Sequence, residues 1–308
     1  MKDNVYLTGF LLAAGLLFLF GWEQLPTSEI GTWAITFGAT TSIAVLALAL
    51  YRVQMQLRES RHELALQEAE IRFARQVQLA LFPRQLPECK GLEFRALCKA
   101  AKGASGDYYD IITIEDRGVI FALADISGKG VSAAILMANL QALLRNIVES
   151  ALPLNRICDK LNAHLFQVTE SNRFSTLFLA EWRPGDRTLT YVNAGHQPPI
   201  LKGSMESLKL DRGGPPLGLF DEITYESGEI RLEEGDLIAL FSDGLTEARS
   251  EQDEEFGVKR LEKLIDLYQS QDLAELEERI VSAIASWSQG NLEDDMTLVL
   301  VRTRQEGC

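Results

Sequence analysis

Two long uncharged stretches near the N-terminus constrain this chain more than any other feature. Residues 5–22, "VYLTGFLLAAGLLFLFGW", and 30–51, "IGTWAITFGATTSIAVLALALY", contain no Asp, Glu, Lys or Arg. Each is about as long as a helix must be to cross the roughly 30 Å hydrocarbon core of a bilayer. A cleaved signal peptide fits the first stretch poorly: Lys2 is offset by Asp3, and no small-x-small cleavage site precedes the polar turn. The connecting segment carries Glu23 and Glu29 without a basic residue, whereas Arg52, Arg58 and Arg61 follow the second stretch. The positive-inside rule therefore predicts a two-span hairpin over residues 1–51 in the inner (cytoplasmic) membrane, with both termini cytoplasmic. Ala34, Gly38 and Ser42, four apart, give the second span a face of small residues suited to close helix packing.

Beyond the hairpin, residues 52–82 contain no Gly or Pro and are rich in Gln, Glu, Arg, Leu and Ala, which favours helix until Pro83. Leu57, Leu64 and Ile71 recur every seven residues, with Val53, Ser60, Gln67, Ala74 and Leu81 in the companion register. This is a partly polar heptad seam over a linker of residues 52–84. It reads either as a parallel homodimeric stalk or as a helix that packs on the domain that follows.

Charge separates these segments from the rest. The first 88 residues carry seven Lys/Arg against eight Asp/Glu, so about thirteen of the chain's fourteen net negative charges lie beyond them. Such an acidic domain is unsuited to nucleic acid, which is bound by neutralising phosphates with Lys and Arg. Cys89, Cys98, Cys158 and Cys308 show no C-x-x-C pairing, so neither a zinc site nor a disulfide framework is indicated.

From residue 85 to 308 the pattern is one of strands and two helical blocks. "LEFRALC", "YYDIITIE", "GVIFALAD", "FSTLFLAEW", "RTLTYVNAG", "DLIALFS" and "MTLVLVR" are strand candidates bounded by turn residues. Helices are expected at 131–149, at 153–168 with Pro153 in the first turn, and as a pair near 257–288. Successive strands joined by short turns favour antiparallel pairing, giving an α/β sandwich with helices packed outside the sheets.

Within this domain "ADISGKGVSAA", residues 124–134, has the look of a phosphate cradle, but the spacing G-x-x-x-x-G-K-[ST] fails, because Gly130 stands where the hydroxyl residue belongs. What remains is Asp125 at the end of an apolar strand. Asp107 and Asp110 begin another strand, Asp243 follows a third, and Asp294 and Asp295 precede a fourth. Strand ends can meet at one edge of a sandwich, and clustered carboxylates suit magnesium or manganese. Singly, each Asp-Gly is more often a turn residue.

In order, "GDYYD", "ADISGKGVSAA", "NRFSTLFLA", "YVNAGHQPP", "GGPPLGL", "GDLIALFSDGLTEA", "EFG" and "DDMTLVLVR" resemble the SpoIIE/RsbU branch of the metal-dependent PPM serine/threonine phosphatases. The resemblance runs from about residue 76, where "QVQLALFP" is similar to the family's entering helix, almost to the C-terminus. It implies a two-layer antiparallel β-sandwich flanked by helices, here preceded by two transmembrane helices and a helical stalk. It further implies a centre of two divalent cations, Mn2+ or Mg2+, held by Asp107, Asp125, the backbone carbonyl of Ile126, Asp243 and Asp294. Asp295 falls beside a ligand position and Asp110 three residues beyond one, and both are expected to be supporting or structural.

The resemblance implies hydrolysis of phosphoserine or phosphothreonine on a signalling protein, of the STAS-domain anti-sigma factor antagonist type, by a metal-activated water. The competing expectation is a membrane signalling adaptor that keeps the fold and acts by binding a partner. His196 is a candidate general acid by residue type, although the motif around it is better explained as a turn. His62 and His164 are expected to be structural or exposed, and Lys129 a solvated loop residue. The helix entering the domain is expected to couple the membrane hairpin to activity.

Overall fold

The computed structural model describes residues 29–305, apart from Lys102, Ala104, Asp116, Lys129 and residues 170–172 and 204–207. The expected first span at 5–22 and Cys308 therefore lie outside the described residues. The chain divides into two compact units, residues 1–69 and 70–308.

Helix α1, Glu29–Leu79, runs unbroken through the second uncharged stretch and the heptad segment. At about 1.5 Å per residue its 51 residues extend roughly 77 Å. It ends before Pro83, whose ring disfavours helix in the residue ahead of it. In the first unit Phe37, Ile43, Leu46, Leu48 and Leu50 are exposed. The hydroxyls of Thr36, Thr40, Thr41 and Ser42 each donate to the carbonyl four residues earlier, at 2.7–3.0 Å. An apolar surface whose polar groups are satisfied by the helix's own backbone is what a bilayer interior demands. The helix is long and apolar enough to cross a membrane.

The second unit contains two sheets. Strands β1 (Leu92–Lys99), β6 (Ile200–Lys202), β9 (Leu237–Phe241) and β10 (Met296–Thr303) form one antiparallel sheet in the order β1-β10-β9-β6. Strands β2 (Tyr108–Ile114), β3 (Gly118–Ile126), β4 (Ser175–Arg183) and β5 (Thr188–Ala194) form the other, with two-residue β7 (Gly213–Gly214) and short β8 (Gly228–Arg231) beside β5. Pairing is antiparallel except between β5 and β7. Helices α2 (Val131–Val148) and α3 (Leu154–Val168) cover the second sheet. A single turn α4 (Asp243–Thr246) follows β9, and α5 (Val258–Tyr268) and α6 (Leu273–Trp287) cover the first sheet.

Strand periodicity explains why the central strands read as unbroken apolar runs. Side chains alternate between faces, and on β3 Ile120, Ala122, Ala124 and Ile126 pack toward α2 and α3, while Val119, Phe121 and Leu123 fill the space between the sheets. On β10, Val299 and Val301 face that inner space, and Met296, Leu298 and Leu300 pack under α5 and α6. A strand covered on both faces has no polar side to reveal its period. The seven expected strands and four expected helices are present within a few residues; β6, β7 and β8 are the additions. Val131–Val148 is apolar enough to pass for a span, but its face of Ala133, Met137, Leu140 and Leu144 is fully buried in the core.

Candidate active site

Four segments bring carboxylates to one edge of the sandwich. Asp107 immediately precedes β2 and Asp125 is the penultimate residue of β3. These strands pair with Tyr108 opposite Ala124, which sets the two aspartates beside each other. Asp243 opens α4 just after β9, and Asp294 lies just before β10. Because β9 and β10 are antiparallel, with Phe241 opposite Leu298, both reach the same edge.

Close backbone approaches lock these segments together. A Cβ on Gly106 would stand 2.9 Å from the Ile126 carbonyl oxygen and 3.6 Å from Asp125 Oδ1, so the glycine of "GD" is what lets the two motifs meet. At Gly244 a Cβ would lie 2.1 Å from the Asp295 carbonyl oxygen, which joins the Asp-Gly turn to the terminal aspartate pair. The Ser242 hydroxyl donates to that carbonyl at 3.1 Å and accepts the Thr297 amide at 2.9 Å.

Electrostatics mark the site as one that requires positive charge. Asp107 is only 1% exposed, and burial first, then the neighbouring Asp125, holds its carboxyl well above the usual carboxylate range. The Thr297 hydroxyl donates to it at 2.5 Å. Asp125 is pushed up to about 7, by burial first and then by Asp243, Asp294 and Asp295, with a hydrogen bond from Asp107 offsetting part of the rise. Asp107 and Asp125, buried side by side, resist ionising together unless a cation joins them. Among the described residues no three such side chains stand close enough to hold one ion as they are set, yet their chemistry, hard oxygen donors under mutual repulsion, fits divalent cations.

Asp295 borders the edge, whereas Asp110 lies away from it. Asp295 accepts the Ala101 amide at 2.9 Å and the Gly106 amide at 2.7 Å, which holds the loop leading to Asp107. Asp110 points to the other face of β2, where Arg145 grips it through Nε and Nη2 at 2.7 Å each. His196 is buried; its Nδ1 meets the Thr176 hydroxyl at 2.8 Å and its amide donates to Asn193 Oδ1 at 2.8 Å. Burial lowers its ring to about 4, so it is neutral and belongs to the turn rather than to proton transfer. His164 ties α3 to Asn139 of α2 at 2.9 Å. Lys129 lies outside the described residues.

The sequence reading did not single out Ser105, Thr297, Gln78 or Arg145. Gln78, in the last turn of α1 and 4% exposed, accepts the Ser105 amide at 2.8 Å and donates to the Ser105 carbonyl. The Ser105 hydroxyl in turn accepts the Asp107 amide at 3.0 Å. The entering helix is thus two hydrogen-bonded steps from the backbone amide of Asp107. Arg145 did carry a signal, being the sole charge in Val131–Val148. A cavity of about 1090 Å³ lies elsewhere, lined by the β2–β3 and β4–β5 turns with Cys89, Arg117 and Trp182; none of the four carboxylates borders it.

Two sheets with helices outside, and an acidic edge where strand ends meet, make up a PP2C-type fold. The chain belongs to the SpoIIE family: the family described as Stage II sporulation protein E matches residues 115–304. It is 29% identical over 258 residues to phosphoserine phosphatase RsbU of Bacillus subtilis (strain 168), covering 82% of this chain and 75% of that protein. To phosphoserine phosphatase RsbP of the same organism it is 23% identical over 208 residues, 66% of this chain but 50% of that one. Among solved structures it is similar to the SiaA PP2C domain of Pseudomonas aeruginosa, at TM-score 0.63 and 20% identity over 79% of this chain and 98% of that one. The PP2C phosphatase domain of SpoIIE from Bacillus subtilis, with a fragment of its regulatory domain, matches at TM-score 0.60 and 24% identity, over 68% of this chain and 63% of that one.

Proposed function

We propose that this chain is a membrane-tethered, divalent-cation-dependent phosphatase of phosphoserine or phosphothreonine on a signalling protein of the STAS-domain type. The observation that carries the reading is the convergence of Asp107, Asp125, Asp243 and Asp294, from four separate segments, at one edge where burial and mutual repulsion raise the Asp107 and Asp125 carboxyls. RsbU and RsbP, its relatives, are named as phosphoserine phosphatases.

Asp107, Asp125, Asp243, Asp294 and the carbonyl of Ile126 would hold two ions, Mn2+ or Mg2+. When bound, such cations make water nucleophilic at neutral pH and offset charge on the phosphoryl oxygens. The chain's own part is positioning. Thr297 donates to Asp107, Asp295 holds the Ala101 and Gly106 amides, and Gly106 and Gly244 allow the backbone segments to close on one another.

The uncharged stretches at 5–22 and 30–51, with Arg52, Arg58 and Arg61 behind them, support a hairpin in the cytoplasmic membrane with the phosphatase domain on the cytoplasmic side. Leu57 and Leu64 are exposed on the single helix, which supports a homodimeric stalk that covers them. The Gln78–Ser105 clamp supports control of Asp107 by the stalk.

The test is release of phosphate from a serine-phosphorylated STAS-domain protein by the full chain in lipid with manganese. We expect turnover that Asp125→Asn abolishes. Metal binding without release from any phosphoprotein would instead favour the adaptor reading.

A further inference from the structure

Arg173 stands just ahead of β4, at the edge where the four carboxylates gather. The β3–β4 ladder, with Ile126 opposite Ser175, continues one step further: the Ser127 amide donates to the Phe174 carbonyl at 2.9 Å, and the Ser127 hydroxyl accepts the Phe174 amide at 2.8 Å. The Ser175 hydroxyl reaches back to the Asp125 carbonyl at 3.2 Å. These bonds anchor the segment beside the loop that follows Asp125. The guanidinium crosses that loop and donates from Nη1 to the Ser132 hydroxyl at 2.9 Å, in the first turn of α2. Gly128, at φ +99°, lies under it, and a Cβ there would come within 3.6 Å of Nη1.

Its position at the strand edge sets this arginine apart from Arg187 and Arg302, which donate to backbone carbonyls. In a chain of net charge −14, Arg95, Arg117, Arg145 and Arg304 each pair with a carboxylate. Arg173 borders the most acidic edge of the domain, yet its one hydrogen bond among the described residues goes to a neutral hydroxyl. A guanidinium has five N–H donors, and among the described residues one of them is engaged. Its planar fork matches two oxygens of a phosphate monoester, which carries close to two negative charges near neutral pH. The carboxylates at that edge repel such a dianion, so a fixed positive charge on the loop that follows Asp125 offsets a repulsion that the substrate must otherwise meet.

We propose that the Arg173 guanidinium binds the phosphoryl oxygens of the substrate phosphoserine or phosphothreonine and orients the ester toward the carboxylate edge. The inference rests on the phosphatase reading and adds a substrate-binding residue that the acidic motifs do not contain.

The experiment compares wild type, Arg173→Ala and Arg173→Lys as full chains in detergent with saturating Mg2+. Calorimetric titration with inorganic phosphate reads binding without turnover. KM and kcat are measured with para-nitrophenyl phosphate and with a serine-phosphorylated STAS-domain protein. Loss of a charge-assisted hydrogen-bonded pair is expected to weaken phosphate binding about ten- to a hundredfold in Arg173→Ala. KM rises for both substrates, and Arg173→Lys falls between Ala and wild type. Unchanged phosphate binding overturns the proposal. So does a KM increase confined to the phosphoprotein, which makes Arg173 a contact for the protein surface. If Arg173→Ala lowers the melting temperature, Arg173→Lys decides alone, since it keeps the charge and stem and loses the fork; wild-type affinity in it overturns the assignment. A wild-type chain that binds phosphate through Arg173 but turns over no ester removes the phosphatase reading and leaves the anion site. Turnover indifferent to Arg173 does the reverse.

Discussion

Asp107 and Asp110 lie three residues apart and are both buried, at 1% and 0% exposed, yet they meet opposite surroundings. The pleat of β2 is the cause, since residues at odd separation project to opposite faces. Asp107 faces the gap between the sheets, where Thr297 and Asp125 meet it. Asp110 faces α2, where it receives Arg145 in two bonds at 2.7 Å, the Tyr108 hydroxyl at 2.7 Å and the Ile111 amide at 2.9 Å. One carboxylate is neutralised by a cation covalently part of the fold. The other is crowded by like charge and suited to a cation that comes from solution. Burial alone does not distinguish a structural aspartate from a functional one; the sign of its neighbours does.

The sharpest way to break this comparison is to neutralise one member of each region. Asp125→Asn should take phosphatase activity to background while raising the melting temperature of the chain in chelator at pH 8, because it removes a repelled buried charge. A drop in melting temperature would show that Asp125 holds the fold rather than a cation. Arg145→Met should act in the opposite sense, costing roughly 3 kcal/mol of stability in denaturant titrations. This is the lower end for a broken buried ion pair, because the Arg145 side chain is 45% exposed. The protein that remains folded should keep its manganese affinity.

His196 sharpens the contrast by a third route, avoiding charge altogether. Its folded value of about 4 lies below the ordinary 6.5, so between those pH values the unfolded chain binds a proton that the folded chain does not. Its contribution is present above pH 6.5 and is lost as pH falls toward 4, about 3 kcal/mol over the window. His196→Gln should flatten stability between pH 4 and 6.5, and an unchanged slope would show that the imidazole does not govern it. The smallest effect belongs to Asp295→Asn. It leaves the four proposed cation carboxylates in place but weakens the acceptor for the Ala101 and Gly106 amides, and should lower manganese affinity by roughly ten- to a hundredfold.

Much of this was legible in the chain itself. The strands appeared as apolar runs between Gly, Asp and Pro, and the aspartates of the acidic edge as the last or first residues of those runs, because strand ends are where a sheet must yield to polar groups. Asp295 and Asp110 were expected to be supporting or structural from their offset to the motif, and the structure pairs Asp295 with the Ala101 and Gly106 amides and Asp110 with Arg145. The short strands β6, β7 and β8 were not legible, since two to four residues carry no measurable period. Gln78 was hidden for a related reason: in a Gln-rich helix nothing local separates the one glutamine that is buried from those in water. Arg173 lay within a quoted motif, but its meaning depends on Gly128 and Ser132, more than forty residues away.

The sequence by itself determined which segments are apolar enough for lipid, where the longer strands and helices lie to within a few residues, and that acidic residues stand at strand ends. Those properties follow from local composition and spacing. Only the tertiary structure decided which face each aspartate takes, that Asp110 meets Arg145, and that the entering helix reaches Asp107 through Gln78 and Ser105. Those outcomes depend on the pairing of strands and packing of helices distant in the chain, which no local pattern encodes.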